Sequence, residues 1–211
     1  MVKVENIDVY GFEAAIRGMR NPLNSWKLSD SDCEVLHDEN GWSNEVFTIG
    51  PKDLDLMKRL FKAGTEHRKY LRMINVTMDI TSSLYWWKEF DTYKIGTACN
   101  SCSTMHKIHS KEFTLDDFSH EHLDYTSKCM LKDIIRTLNK NRELFNNTKD
   151  KQSWWNMIQL LPSSYNQRRT VQLSYETVFN IIRQREHHKM DDWITFTDIL
   201  KDLPYVKELM E

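Results

Sequence analysis

Ile74-Asn75-Val76-Thr77-Met78-Asp79-Ile80 places an apolar side chain at every second position, with Asn75, Thr77 and Asp79 between them. Successive side chains of a strand point to opposite faces, so this two-residue period reads as a half-buried β-strand and demands a sheet. Upstream the period changes. Pro51 suits a first helical turn, Leu54, Met57, Leu60 and Phe61 recur at helical spacing, and Gly64 supplies a stop, which predicts an amphipathic helix. Downstream, Leu84-Tyr85-Trp86-Trp87-Lys88-Glu89-Phe90 lacks alternation and reads as core-filling aromatics that begin a helix or pack a loop. Residues 119–146 carry Leu123, Met130, Leu131, Ile134, Leu138 and Leu144 in a long helical pattern with a polar outer face. Ser174 suits the N-cap of a further helix from about Tyr175 to Arg185, apolar at Val178, Phe179, Ile181 and Ile182 and basic at its end. The polar stretch 29–44, which holds Gly41 and many acids, reads as a surface loop. Helix, strand and then several helices predict an α+β domain, a mixed sheet with several helices, rather than a regular βαβ series.

The 211 residues, with seven Trp, suffice to bury a core, and a single domain spanning 1–211 is the expectation. Lys and Arg number 29 against 31 Asp and Glu, so no global field suits the chain to coating nucleic acid or a membrane surface, and an anionic ligand must be held locally. The first residues lack the apolar run of a signal peptide, and nowhere do about 18 apolar residues follow one another, so a cytoplasmic protein without membrane or nucleic-acid partners is expected. Four cysteines are too few for a disulfide framework and read as reduced thiols or ligands. The six glycines form neither G-x-G-x-x-G nor G-x-x-x-x-G-K-[ST], and G-x-S-x-G is absent, which disfavours Rossmann, P-loop and serine-hydrolase chemistry.

Two stretches carry chemistry. The first is Leu161-Pro162-Ser163-Ser164-Tyr165-Asn166-Gln167-Arg168-Arg169, continued by Phe179-Asn180-Ile181-Ile182-Arg183-Gln184-Arg185. The second is Tyr93-Lys94-Ile95-Gly96-Thr97-Ala98-Cys99-Asn100-Ser101-Cys102-Ser103-Thr104-Met105. In order and spacing they resemble the flavin-dependent thymidylate synthases, whose C-terminal part runs from an L-P turn through a short strand into a helix with an Asn and, five residues later, an Arg. The second stretch lies on that family's signature R-H-R-x-x-S-x-N-E-x-S-x-R. Asn100 and Ser103 keep its N and second S. Tyr93, Lys94 and Ile95 stand at R-H-R, Ala98 at the first S, Ser101 at E and Met105 at the last R. The resemblance runs from about Pro51 onward. Arginine forks pair bidentately with phosphate and carbonyl oxygens, so each one replaced by an apolar residue removes about 1.5–3 kcal/mol of charge-assisted contact.

The resemblance implies conversion of dUMP to dTMP, or a related one-carbon transfer to a pyrimidine nucleotide, with FAD as cofactor and NADPH and methylene-tetrahydrofolate as co-substrates. It also implies a homotetramer with sites built between subunits. Residue by residue, it makes Arg185 the catalytic cation that polarises the pyrimidine and binds substrate, and gives Asn180, Tyr93, Lys94 and Asn100 to the flavin. Ser103 and Arg168 fall to the nucleotide, with Arg169 and Arg183 as further anion contacts. The rival reading is a non-catalytic descendant of the fold that binds a nucleotide or a protein partner, of the kind a virus encodes.

A third class rests on Cys99, Cys102, His106 and His109, at offsets of three, seven and ten residues, which share one face if the segment is helical. Two thiolates and two imidazoles suit zinc, with Cys33, Cys129, His120 or His122 to complete a site. One straight helix, however, would spread the four along about 15 Å. The bland alternative is small cysteines near a pocket. His187-His188 reads as a helix-end cap.

Overall fold

The structure, a computed structural model, describes residues 1–37 and 43–211. Its elements are β1 (Lys3–Tyr10), α1 (Phe12–Arg20), β2 (Asp32–His37), β3 (Ser43–Thr48), α2 (Pro51–Lys62), β4 (Asn75–Ser83) and α3 (Leu84–Phe90). β5 (Thr97–Ser101), α4 (Tyr125–Thr148), α5 (Lys151–Leu160), β6 (Asn166–Ser174), α6 (Tyr175–Arg185), α7 (Asp191–Lys201) and α8 (Val206–Met210) follow. Four strands form one sheet in the order β1-β4-β6-β5, and β2 pairs with β3. This is the expected α+β architecture. The chain divides into two compact units, residues 1–5, 79–94 and 99–171 in one and residues 6–78, 95–98 and 172–211 in the other, so each strand of the larger sheet has residues in both.

In the unit containing residues 99–171, α3 starts where Ser83 accepts from the Trp86 amide, and it buries Trp86, Trp87 and Phe90 completely. The Trp87 indole N–H donates to the Gln167 carbonyl at 2.9 Å, which satisfies its one polar group inside the core. The aromatic run is thus a core-filling helix, one of the two forms expected of it. A second cluster joins Leu131, Ile135 and Leu138 of α4 to Met157 of α5, Ile108, Phe113 and Phe118. Asp124 caps α4 by accepting from the Ser127 amide, and Asp150 caps α5 through the Gln152 and Ser153 amides. The long helix therefore begins at Tyr125 and not near 119. Ahead of it, Phe118 bridges Tyr165 as an isolated antiparallel pair.

The other unit packs Phe12, Met57, Tyr70, Leu71, Val178, Ile181, Trp193 and Phe196 into a core. Its N-terminal part is tied by one acid. Asp53, fully buried, accepts from Arg20 Nε at 2.6 Å, from the Ser29 and Ser31 hydroxyls at 2.7 Å each, and from the Asp30 and Ser31 amides. Asp30 in turn accepts from the Lys52 and Asp53 amides. Gly50, the N-cap of α2, has no side chain to perform that task, and Asp30 performs it from the preceding turn. A Cβ at Gly50 would fall 2.3 Å from the Asp30 carbonyl oxygen, and the Gly50 amide donates to the Ser31 hydroxyl at 3.0 Å.

The surface loop expected over 29–44 is corrected. Among the described residues it carries β2 and the start of β3, antiparallel from Asp32 opposite Thr48 to His37 opposite Ser43, while residues 38–42 lie outside the description. Two strands that satisfy each other's backbone need no apolar alternation, and Asp32, Cys33 and Glu34 are all exposed.

Candidate functional site

A cavity of about 550 Å³ opens where β6 passes into α6. Its walls come from three places: Arg72 and Asn75, just ahead of β4 and at its first residue; Ile95–Ala98, the turn into β5 and its first two residues; and Gln172, Ser174, Glu176, Thr177 and Asn180. The turn is held tightly. The Ser174 amide donates to the Gly96 carbonyl at 2.9 Å, and Thr177 Oγ1 donates to the Ile95 carbonyl at 2.8 Å. Gly96 has φ +67°, and a Cβ there would lie 2.6 Å from Ser174 Oγ, so the backbone approaches as closely as only glycine permits. On the far wall the Tyr175 amide donates to the Ile74 carbonyl, and Gln172 Nε2 donates to Asn75 Oδ1 at 3.1 Å.

Two buried polar atoms on this cavity have no hydrogen-bond partner among the described residues: Thr97 Oγ1 and Glu176 Oε2. The other Glu176 oxygen is engaged by Arg68 Nη2 at 3.0 Å. Both are closed off from solvent by their surroundings, so, although their residues line the cavity, neither atom opens onto it.

The sequence-derived candidates fall in different places. Asn180 lines this cavity together with the Ile95–Ala98 part of the second stretch. Arg185 does not: its guanidinium lies 4.7 Å above the Trp193 ring. In the other unit, Asn100 and Arg168 come together around a shallow cavity of about 260 Å³ with Asp79, Ser101, Cys102 and Thr170. There Arg168 pairs with Asp79 at 2.7 Å. Arg169 pairs with Asp91 at 2.8 Å and stacks 4.2 Å above the Trp87 ring. Tyr93 sets its ring edge against Phe90, Lys94 is exposed, and Ser103 accepts from the Met105 and His106 amides at 3.3 and 2.9 Å. Arg183 reaches Asn180 Oδ1 at 3.5 Å.

The helical face proposed for Cys99, Cys102, His106 and His109 does not form. Cys99 lies in β5, Cys102 follows it, and the histidines sit in the turns beyond. Among the described residues no group of three or more His, Cys, Asp or Glu is arranged to hold a metal ion. The cause is Gln167 and Arg168 of β6. The Cys102 amide donates to the Arg168 carbonyl, and Gln167 Nε2 donates to the Cys102 carbonyl, so the segment is drawn into sheet pairing. Sequence reasoning passed over Glu176 and Arg68. A Glu in the first turn of a helix looks like an ordinary dipole partner, and its cation is 108 residues away.

No family model matches this chain, and no curated protein matches it. Solved structures do. The flavin-dependent thymidylate synthase ThyX from Helicobacter pylori, complexed with FAD and dUMP, superposes with a TM-score of 0.66 at 16% identity, covering 98% of this chain and 97% of that one. A second structure of the Helicobacter pylori enzyme with FAD and dUMP gives 0.67 at 15%, covering 99% and 97%. The chain thus has the fold of the flavin-dependent thymidylate synthases.

Proposed function

We propose that this chain is a nucleotide-binding protein of the flavin-dependent thymidylate synthase type, acting on dUMP or a related pyrimidine nucleotide with FAD, NADPH and methylene-tetrahydrofolate. The observation that carries the proposal is a shared cavity. The Ile95–Ala98 turn and Asn180 come from the two stretches that resemble the family, and they line one space of about 550 Å³, within the range of small-molecule sites. Arg72, Asn75, Gln172 and Asn180 on its lining carry donors and acceptors of the kind a flat heterocycle with N–H and carbonyl groups requires, so the residues present fit a pyrimidine or a flavin ring. In this reading Asn180 holds the ring, and Arg72 offers a cation at the cavity for a phosphate. When bound, reduced flavin supplies hydride and the folate supplies the carbon, while the protein orients the ring and excludes water.

A second reading, a non-catalytic descendant that binds a nucleotide, is favoured by what the remaining cations do. Arg168 and Arg169 are taken up by Asp79 and Asp91, and Arg185 rests on Trp193.

The absorption spectrum of the purified protein, a dUMP titration, and chromatography for dTMP after incubation with FAD, NADPH and methylene-tetrahydrofolate test both. Bound flavin with dTMP formation supports the enzyme. Nucleotide binding without turnover supports the descendant, and absence of any binding removes the proposal. The fold's assembly is expected to be a homotetramer, and sedimentation as a monomer would exclude that.

A further inference from the structure

A buried guanidinium ordinarily finds an acceptor for each of its five N–H groups or reaches water. The Arg20 side chain is 5% exposed. Its Nε donates to Asp53 at 2.6 Å, and its Nη1 to the Ser25 carbonyl at 3.1 Å and the Ser25 hydroxyl at 3.3 Å. Nη2 has no acceptor among the described residues, and unlike Arg68 Nε it is not closed off from solvent. Arg20 lines a cavity of about 540 Å³ that shares no residue with the β6–α6 cavity, and its free edge opens there.

The apolar wall of this cavity is Leu23, Leu28, Pro51 and Leu56. Leu23 and Leu28, at the ends of the short helical turns Asn21–Leu23 and Trp26–Leu28, are 56% and 62% exposed. Open leucines beside a buried cation suit a ligand with an apolar body and an anionic head. The lining holds no aromatic ring to stack on, so the body is aliphatic. Charge sets the head. Asp53 balances Arg20, Asp55 balances Arg59 at 2.9 Å, and Asp30 is turned to the α2 amides. The Lys52 ammonium is left as the one unbalanced charge among the described side chains of the lining. One such cation matches a monoanion, whereas a phosphate monoester brings about two negative charges.

We propose that this cavity binds an aliphatic monocarboxylate. The carboxylate accepts from Arg20 Nη2 and is neutralised by Lys52, and the hydrocarbon chain covers Leu23 and Leu28.

Calorimetric titration of the full chain with octanoate, octanamide, acetate and octyl phosphate tests this. Octanamide keeps the body without the charge, and acetate keeps the charge without the body. Each is expected to bind at least about tenfold more weakly than octanoate. Octyl phosphate should bind more weakly as well. These comparisons alter the ligand alone, so they do not depend on any variant folding. Leu28→Asp locates the site: it replaces an exposed side chain, sets a carboxylate where the hydrocarbon chain lies, and should weaken octanoate at least about tenfold. Leu144→Asp, equally exposed to solvent on α4, should leave octanoate binding unchanged. Absence of octanoate binding, octanamide, acetate or octyl phosphate binding as tightly as octanoate, undiminished affinity in Leu28→Asp, or an equal loss in Leu144→Asp overturns the proposal. The nucleotide reading concerns other residues and stands or falls separately.

Discussion

Replacing Asp53 with Asn leaves Arg20 facing a neutral group inside a core where Asp53 is fully buried and the Arg20 side chain is 5% exposed. Asn preserves volume and one acceptor, but its amide N–H₂ must point at donors, because every partner of Asp53 is an N–H or O–H. Breaking a buried ion pair from one side costs about 3–5 kcal/mol, a large fraction of the ~5–15 kcal/mol that holds a domain together. At about 2–4 °C per kcal/mol for a chain of this size, the melting temperature should fall by about 6–20 °C. Urea unfolding followed by tryptophan fluorescence measures the loss directly. A cycle with Arg20→Met should show a coupling of about 0.5–3 kcal/mol, since the double variant no longer strands a charge. The pH dependence is a second check. Burial pushes the Asp53 carboxyl up, but hydrogen bonds from Ser29, Ser31, Arg20 and the Asp30 amide outweigh it and hold the group below its ordinary value of 3.8. A carboxyl depressed in the folded state contributes fully above its unfolded value and loses that contribution as pH falls through the folded one. The gap between wild type and Asp53→Asn should therefore be flat from neutrality down to about pH 5 and close below about pH 4. A loss under about 1 kcal/mol at neutral pH, or a gap that persists in acid, would refute the reasoning.

Three further outcomes are expected. Gly96→Ala should destabilise by about 1–3 kcal/mol and abolish ligand binding at the cavity, whereas Gly64→Ala, at φ +106° with nothing within 4 Å, should show backbone strain alone; thermal melts of the pair separate strain from collision. Leu138→Ala, in the fully buried centre of the α4 and α5 cluster, should cost about 2.7–5 kcal/mol in denaturant unfolding. Arg169→Ala should cost about 0.5–2 kcal/mol by losing its stack on Trp87, and Arg169→Lys should restore little of it, because an ammonium cannot reproduce the planar contact; a full rescue by Lys would show that charge alone matters.

The elements legible in the sequence are those whose own side chains face a core. β4 shows its burial alternation from Asn75 to Ser82, and α2 and α6 start and stop at the Pro51, Gly64 and Ser174 signals that chemistry supplies. β2 and β5 were opaque for one reason: their described residues are largely exposed, so pairing with a neighbour rather than burial decides their state. β1 carries no buried residue and gave no signal either. The candidate site was half legible. Motif order picks out Asn180, whereas Tyr93, Lys94, Asn100 and Ser103, the residues it picks from the second stretch, flank the Ile95–Ala98 wall without lining the cavity. Glu176 becomes visible only when Arg68 is brought to it, and Arg185 meets Trp193 rather than the cavity because α7 packs against the end of α6.

The stitching of Ser31 to Gly50 has a practical side. With the entry and exit of the β2–β3 segment fastened to each other and to Asp53, whatever lies between them hangs from a closed neck. A cut between them would therefore leave the two ends, and the Asp53 network, joined.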